Sequence, residues 1–418
     1  MSRARRQLGL LSVSFFTASG LGLLLLVVVA RWLTPTENLQ FQAIWAVVFT
    51  FGSVLGSLEQ EVARQSTNAT LERRRTPVGA VQAVGLAATA CLVVMAAFLA
   101  TPSGREVVHG SLPVLLLCLL SVVNFTMLIL ARGVLLGAHA LRGYSALLVG
   151  EAAARVVIIA VIVATGVEAA VGWAVLATVA GSLVWVGALG RIARGVDWSG
   201  RLTPWSTVAE TVTALGIANG LSALVLTGFP AVVVAILGKS SDLAVLIAVI
   251  TLSRAPLALM APVQALTVPT VVRWSRSGDT RRLTRALELI AGGSAVAALI
   301  GAAVGYVVGP WAVAVVLGAD YRPTPVTAAL VAAATCVMAG ALLQAAALVA
   351  LQRYWLVTAC WAAAIASAAL LMLAAPWSAE DRALGGFALA SLAAFVATAV
   401  AVQSSVAASA SSGGTAAH

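Results

Sequence analysis

Apolar runs, each about as long as the roughly 20 residues a bilayer core requires, recur along this chain with short polar turns between them. They cover residues 9–33, 40–60, 77–101, 112–136, 145–165, 168–190, 208–237, 242–268, 286–310, 325–351, 354–375 and 381–405. Backbone amides in hydrocarbon must bond within their own segment, so the pattern predicts twelve helices rather than open strands. The expected fold class is an all-α polytopic membrane protein.

The longest polar interruption near the middle, Arg191 to Ser206, divides the runs six and six. The expected organisation is a six-helix bundle over 1–190, a linker over 191–206, a second six-helix bundle over 207–405 and a disordered Ser/Ala/Gly tail over 406–418. Val27–Ala30 and Val232–Ala235 repeat one short sequence near the ends of spans one and seven. Each is followed by a short turn, another span and a long basic loop. Six spans return the chain to its starting side, so such halves are expected to be parallel repeats about a pseudo-two-fold along the membrane normal.

Charge placement adds topology. The 418 residues are 61% hydrophobic and only 10% charged, with a net charge of +10. Of 25 Lys and Arg, eighteen lie at the N-terminus or in alternate turns: Arg3, Arg5, Arg6; Arg64, Arg73, Arg74, Arg75; Arg132, Arg142; Arg191, Arg194, Arg201; Arg273, Arg276, Arg281, Arg282, Arg285; and Arg353. Only Arg31, Arg105, Lys239, Arg322 and Arg382 mark the opposite ends. By the positive-inside rule both termini are expected in the cytoplasm. The basic excess then reports topology and contact with membrane lipids, not nucleic acid. The first span, led by basic residues, is read as an uncleaved helix because its apolar run is too long for a signal peptide.

Ionisable residues at depth are the strongest functional pointers in such a chain. Arg254 lies at the middle of span eight, with Ala258, Ala261 and Ala265 on its side of the helix and Pro256 expected to bend it. Arg155 is central in span five, one turn from Glu151, an arrangement that suits either a structural ion pair or a cavity. Asn124, Asn219 and Arg31 complete the expected cavity set. Gly20, Gly22, Gly228, Pro230 and Pro256 are the expected hinges. Cys91, Cys118, Cys336 and Cys360 fall inside spans and His109, His139 and His418 are scattered, so no metal, cofactor or catalytic set is expected.

The hairpin between spans one and two reads Ala30-Arg31-Trp32-Leu33-Thr34-Pro35-Thr36-Glu37-Asn38-Leu39-Gln40-Phe41. With Arg142-Gly143-Tyr144-Ser145 before the Glu151/Arg155 span, Gly278-Asp279, and Leu317-Gly318-Ala319-Asp320-Tyr321, it resembles the polysaccharide flippase branch of the multidrug/oligosaccharidyl-lipid/polysaccharide exporter superfamily. Gln42 stands where that family usually has glycine. The resemblance implies two bundles opening alternately to each side and no enzymatic activity. It also implies a lipid-linked oligosaccharide substrate of polyprenyl-diphosphate type, flipped outward, with polysaccharide polymerase or assembly proteins as partners. Arginine suits a diphosphate because its planar fork donates two hydrogen bonds at once. The alternatives are a drug/cation antiporter of the same superfamily, which needs more carboxylates at depth than Glu151, and a membrane glycan-assembly enzyme. The outer turns hold Glu37, Glu106, His109, Glu168, Asp242, Asp320, Glu380 and Asp381 without the cluster such an enzyme would need.

Overall fold

A computed structural model describes residues 3–414 apart from 255–256, 258–259, 261–266, 268–269 and 275–278. Its helices follow the hydropathy pattern closely. They are α1 (Arg3–Trp32), α2 (Pro35–Leu71), α3 (Val78–Ala100), α4 (Pro102–Val108), α5 (Leu112–Gly137), α6 (Leu141–Ala164), α7 (Val171–Gly181) and α8 (Leu189–Gly195), a 3-10 turn (Ser182–Ala188) separating the last two. There follow α9 (Trp205–Leu226), α10 (Phe229–Leu237), α11 (Ser241–Ser253), α12 (Thr280–Leu317), α13 (Pro325–Ala350), α14 (Tyr354–Ala374) and α15 (Ala379–Gly414). Among the described residues ten helices are long and apolar enough to cross a membrane, and an eleventh span is a pair, Asn219–Leu226 and Phe229–Leu237, bent by 70°. The twelfth expected span begins as α11 and continues into residues that are only partly described.

Helix starts are written in the sequence. The Thr34-Pro35-Thr36-Glu37 turn is a capping box: Glu37 N–H donates to Thr34 Oγ1 (3.4 Å) while Thr34 N–H donates to the Glu37 carboxylate (3.0 Å). Thr101-Pro102 and Thr324-Pro325 repeat the device, with the threonine hydroxyl accepting from Gly104 and Thr327 N–H at 3.1 Å each.

The chain forms two compact units, Met1–Lys239 and Ser240–His418. The first ends later than the expected boundary because α9 packs on α2 and α3, and α10 on α2 and α4. Residues 191–206 are not a free linker: β2 (Val196–Asp197) pairs in parallel with β1 (Thr76–Pro77). The tail expected to be disordered continues α15 as helix to Gly414, since no proline and no glycine interrupts residues 387–412.

Packing inside each unit relies on small residues, as it must where lipid gives apolar side chains no reason to leave it. In the first unit Gly133 and Gly137 of α5 face α2, where a Cβ on Gly133 would lie 2.6 Å from Val62. In the second, Gly301, Gly305 and Gly309 of α12 lie against α13, and a Cβ on Gly305 would fall 2.7 Å from the Ala328 carbonyl oxygen. Large apolar side chains such as Leu299, Val307 and Leu370 point outward, as a lipid-facing surface allows. This is a multi-pass membrane protein.

Candidate functional site

A ladder of four charges runs through the first unit. Helical spacing puts Glu151 and Arg155 on one face of α6, where Glu151 takes one guanidinium nitrogen from Arg155 and another from Arg132 of α5. Arg132 in turn stands 4.0 Å from Glu59 of α2, and the buried Tyr144 hydroxyl interacts with the Glu59 carboxylate. No side chain of the four is more than 15% exposed, so mutual neutralisation is what permits their burial. The charge pattern along the sequence assigned Arg132 to an inner turn. Instead Arg132 lies within α5, a turn before Gly137.

Arg155 is held from every side. Its guanidinium stands 5.0 Å from the Phe49 ring, 5.8 Å from Phe125 and 5.9 Å from Trp45, with Trp45 and Phe49 stacked at 4.1 Å. The aromatic stripe Phe41, Trp45, Phe49 recurs every four residues of α2, a signal the sequence carried. Arg155 also donates to the Ser182 hydroxyl (3.0 Å) and, through Nε, to the Thr178 carbonyl (3.1 Å). A continuous α-helix would give that carbonyl to Ser182 N–H. Here Ser182 N–H turns to the Val179 and Ala180 carbonyls, and the 3-10 turn begins. Asn124 Nδ2 donates to the Val179 carbonyl as well (3.1 Å), and Trp185 Nε1 to Asn124 Oδ1 (3.4 Å). Gly181 permits the contact: any Cβ there would run into Arg155 Cγ. The structure thus brings Glu151, Arg155 and Asn124 together.

The other expected residues lie elsewhere. Arg31 is exposed at the end of α1. Asn219 is half-buried on α9, its carbonyl accepting from Ser222 (3.0 Å). Gly20 and Gly22 sit within an unbroken α1. Gly228 and Pro230 mark the 70° break between α9 and α10. Gly228 caps α10, and a Cβ on it would meet Leu224 Cδ1 at 2.7 Å and Thr50 Oγ1 at 2.8 Å. In the crook of this break an apolar cavity of about 530 Å³ opens between α2, α3, α9 and α10, lined by Phe51, Val54, Phe98, Gly220 and Leu224 among others.

In the second unit Arg254 follows α11, half-buried, with its guanidinium 5.1 Å from the Phe387 ring. Its neighbour Ser253 bonds Thr335 of α13 at 3.0 Å. A cavity of about 710 Å³ lies beside them, lined by Ser253, Ser294, Thr335, Cys336 and otherwise apolar groups. Pro256, expected to bend this span, and the alanine face at 258, 261 and 265 lie outside the described residues. Among the described residues no group of three or more His, Cys, Asp or Glu could hold a metal ion.

No family model matches the sequence. The uncharacterized protein Rv3630 of Mycobacterium tuberculosis (strain ATCC 25618 / H37Rv) is 30% identical over 382 residues, covering 86% of this chain and 84% of that protein. Uncharacterized protein Mb3654 of Mycobacterium bovis matches to the same extent. The chain belongs to the Rv3630 family. Among solved structures, an inward-facing multidrug resistance MATE family transporter of the MOP superfamily superimposes on this member of the Rv3630 family with a TM-score of 0.66 at 13% identity. It covers 94% of this chain and 95% of that one. The outward-facing conformation of such a transporter gives 0.60 at 12% identity over 98% and 97%. A MOP superfamily transporter from Pyrococcus furiosus, whose binding pocket is described as having reverse polarity, gives 0.59 at 13% over 96% of each chain. The Rv3630-family chain therefore has the MOP transporter fold.

Proposed function

We propose that this protein is an alternating-access membrane exporter for an amphipathic solute. The observation that carries this reading is the fold likeness to MATE transporters along nearly the whole chain. The 70° break in span seven, seated beside an apolar cavity, supports it by supplying a bendable element next to space. The neighbours are multidrug transporters, which favours drug or cation export as the activity. One observation favours the second reading, outward movement of a lipid-linked oligosaccharide on a polyprenyl diphosphate. Glu59 and Glu151 of the first unit are engaged by Arg132 and Arg155, so these acids are neutralised within the ladder instead of standing open to a cation. Both readings place the protein in a bacterial plasma membrane with both termini inside.

The test is reconstitution of the purified protein in proteoliposomes, assayed in parallel for efflux of a lipophilic cation and for outward movement of a fluorescent undecaprenyl-diphosphate sugar. Cation efflux alone supports the drug/cation reading; movement of the lipid diphosphate alone supports the flippase reading. Neither activity from well-folded protein overturns both. If the diphosphate is the cargo and Arg254 contacts it, Arg254→Ala abolishes transport and Arg254→Lys restores part, because lysine keeps the charge but loses the fork.

A further inference from the structure

Two loops distant in sequence, 71–77 and 191–205, are fastened side by side at one end of the first unit. Thr76 pairs with Val196 and Pro77 with Asp197. Gln82 completes the clamp in both directions, donating to the Thr203 carbonyl and accepting from Thr203 N–H, each at 3.1 Å. Gly79 lets Thr203 sit where any side chain on α3 would collide with it. Thr76 is itself anchored by a buried bond to Ser66 (3.0 Å).

What this clamp displays is both basic and apolar. Arg73, Arg74, Arg75, Arg191, Arg194 and Arg201 are all exposed. The two loops contain only two acids: Glu72 lies 3.6 Å from Arg74, and Asp197 accepts from Ser199. Between the arginines Leu71 is 76% exposed and Trp198 is 55% exposed. Leu202 and Trp205 stand out as well. Water alone does not explain four large apolar side chains on a rigidly held polar turn, and an acidic soluble partner does not explain their position at the ends of α2, α3 and α9. A surface that is anionic at its headgroups and apolar just beneath them matches both properties. We propose that the clamped loops form a single docking platform for anionic phospholipid, reading the phosphodiester headgroups with both arginine clusters at once.

The experiment uses the purified full-length protein in neutral detergent, titrated with dioleoylphosphatidylglycerol or dioleoylphosphatidylcholine while thermal unfolding is followed. Phosphatidylglycerol is expected to raise the melting temperature saturably, and added salt to weaken the effect, whereas phosphatidylcholine does little. The triple variant Arg73→Gln/Arg74→Gln/Arg201→Gln should lower apparent affinity by about fivefold for each arginine removed. Gln82→Leu keeps every charge and opens the clamp, so it should also weaken phosphatidylglycerol binding. Unchanged binding in the arginine variant overturns the platform, and unchanged binding in Gln82→Leu overturns joint recognition. An equal shift with soluble glycerol 3-phosphate, or with heparin, overturns the lipid as the partner. If the triple variant is unfolded, Arg201→Gln alone replaces it, with about a fivefold loss of affinity expected and the same refutation.

Discussion

Replacing Glu151 with glutamine removes the one carboxylate that both Arg155 and Arg132 touch. In the intact ladder two acids and two arginines balance, and the variant leaves one uncompensated positive charge among side chains no more than 15% exposed. Taking away one partner of a buried pair costs about 3–5 kcal/mol. Arg132 keeps Glu59 at 4.0 Å, and Arg155 keeps the Ser182 hydroxyl, the Thr178 carbonyl and three aromatic faces. The lower end, about 3 kcal/mol, is therefore the expected loss. At about 2–4 °C per kcal/mol for a body of this size, the melting temperature should fall by roughly 6–12 °C. Arg155→Gln alone should cost a comparable amount. The double variant restores neutrality, leaving Glu59 opposite Arg132, so its loss should be well below the sum of the two single losses. Thermal unfolding of detergent-purified protein, followed by size-exclusion of the soluble fraction, measures all four species. Strictly additive losses, or a Glu151→Gln variant that melts with the wild type, would refute the claim that the four charges act as one unit.

Gly181→Ala should destabilise by about 1–3 kcal/mol, because its Cβ must displace Arg155, whose backbone nitrogen would lie 2.8 Å away; a neutral result in the same melt contradicts the close approach. Gly228→Ala should lower protein yield through its collision with Leu224 and Thr50, whereas Pro230→Ala should reduce transport more than abundance. Parallel falls in activity and abundance for Pro230→Ala would make the proline structural. Single cysteines at Ser103 and Glu380 should label from outside and one at the exposed Asn68 should not; outside labelling at Asn68 would invert the topology. Ser66, also on that loop side, is buried and unsuited to the assay.

The spans were legible because each must satisfy its own backbone in lipid, a demand that leaves a run of fixed length in the sequence. Glu151 and Arg155 were legible as a pair for the same kind of reason, since one helical turn joins them. Arg132 and Glu59 were not, because their partners come from other helices, and the position of Arg132 looked like a headgroup contact. The 3-10 turn in the sixth span was hidden more deeply. Gly187 is a weak helix former, but it lies late in Ser182–Ala188; at the start of the turn a side chain on α6, Arg155, takes the Thr178 carbonyl. Gly20 and Gly22 show the converse, since the roughly 1 kcal/mol that each glycine costs a helix does not by itself break one of 30 residues. The break at Gly228-Phe229-Pro230 was readable because cap, proline and crowding all coincide there.

The packing of α1 bears on how the protein is made. This helix packs mainly on α6 and scarcely on α2, so its main contact is with a segment, Leu141–Ala164, that the ribosome has yet to produce when α1 enters the bilayer. Until then α1 must stand alone among lipids, and its high apolar content allows that without penalty. The α1–α6 contact therefore closes only once five spans are in place, and α6 is also the helix that carries Glu151 and Arg155 of the ladder. Biosynthesis would thus build α2 to α6 as an open arc, to be closed by a helix made four spans before α6.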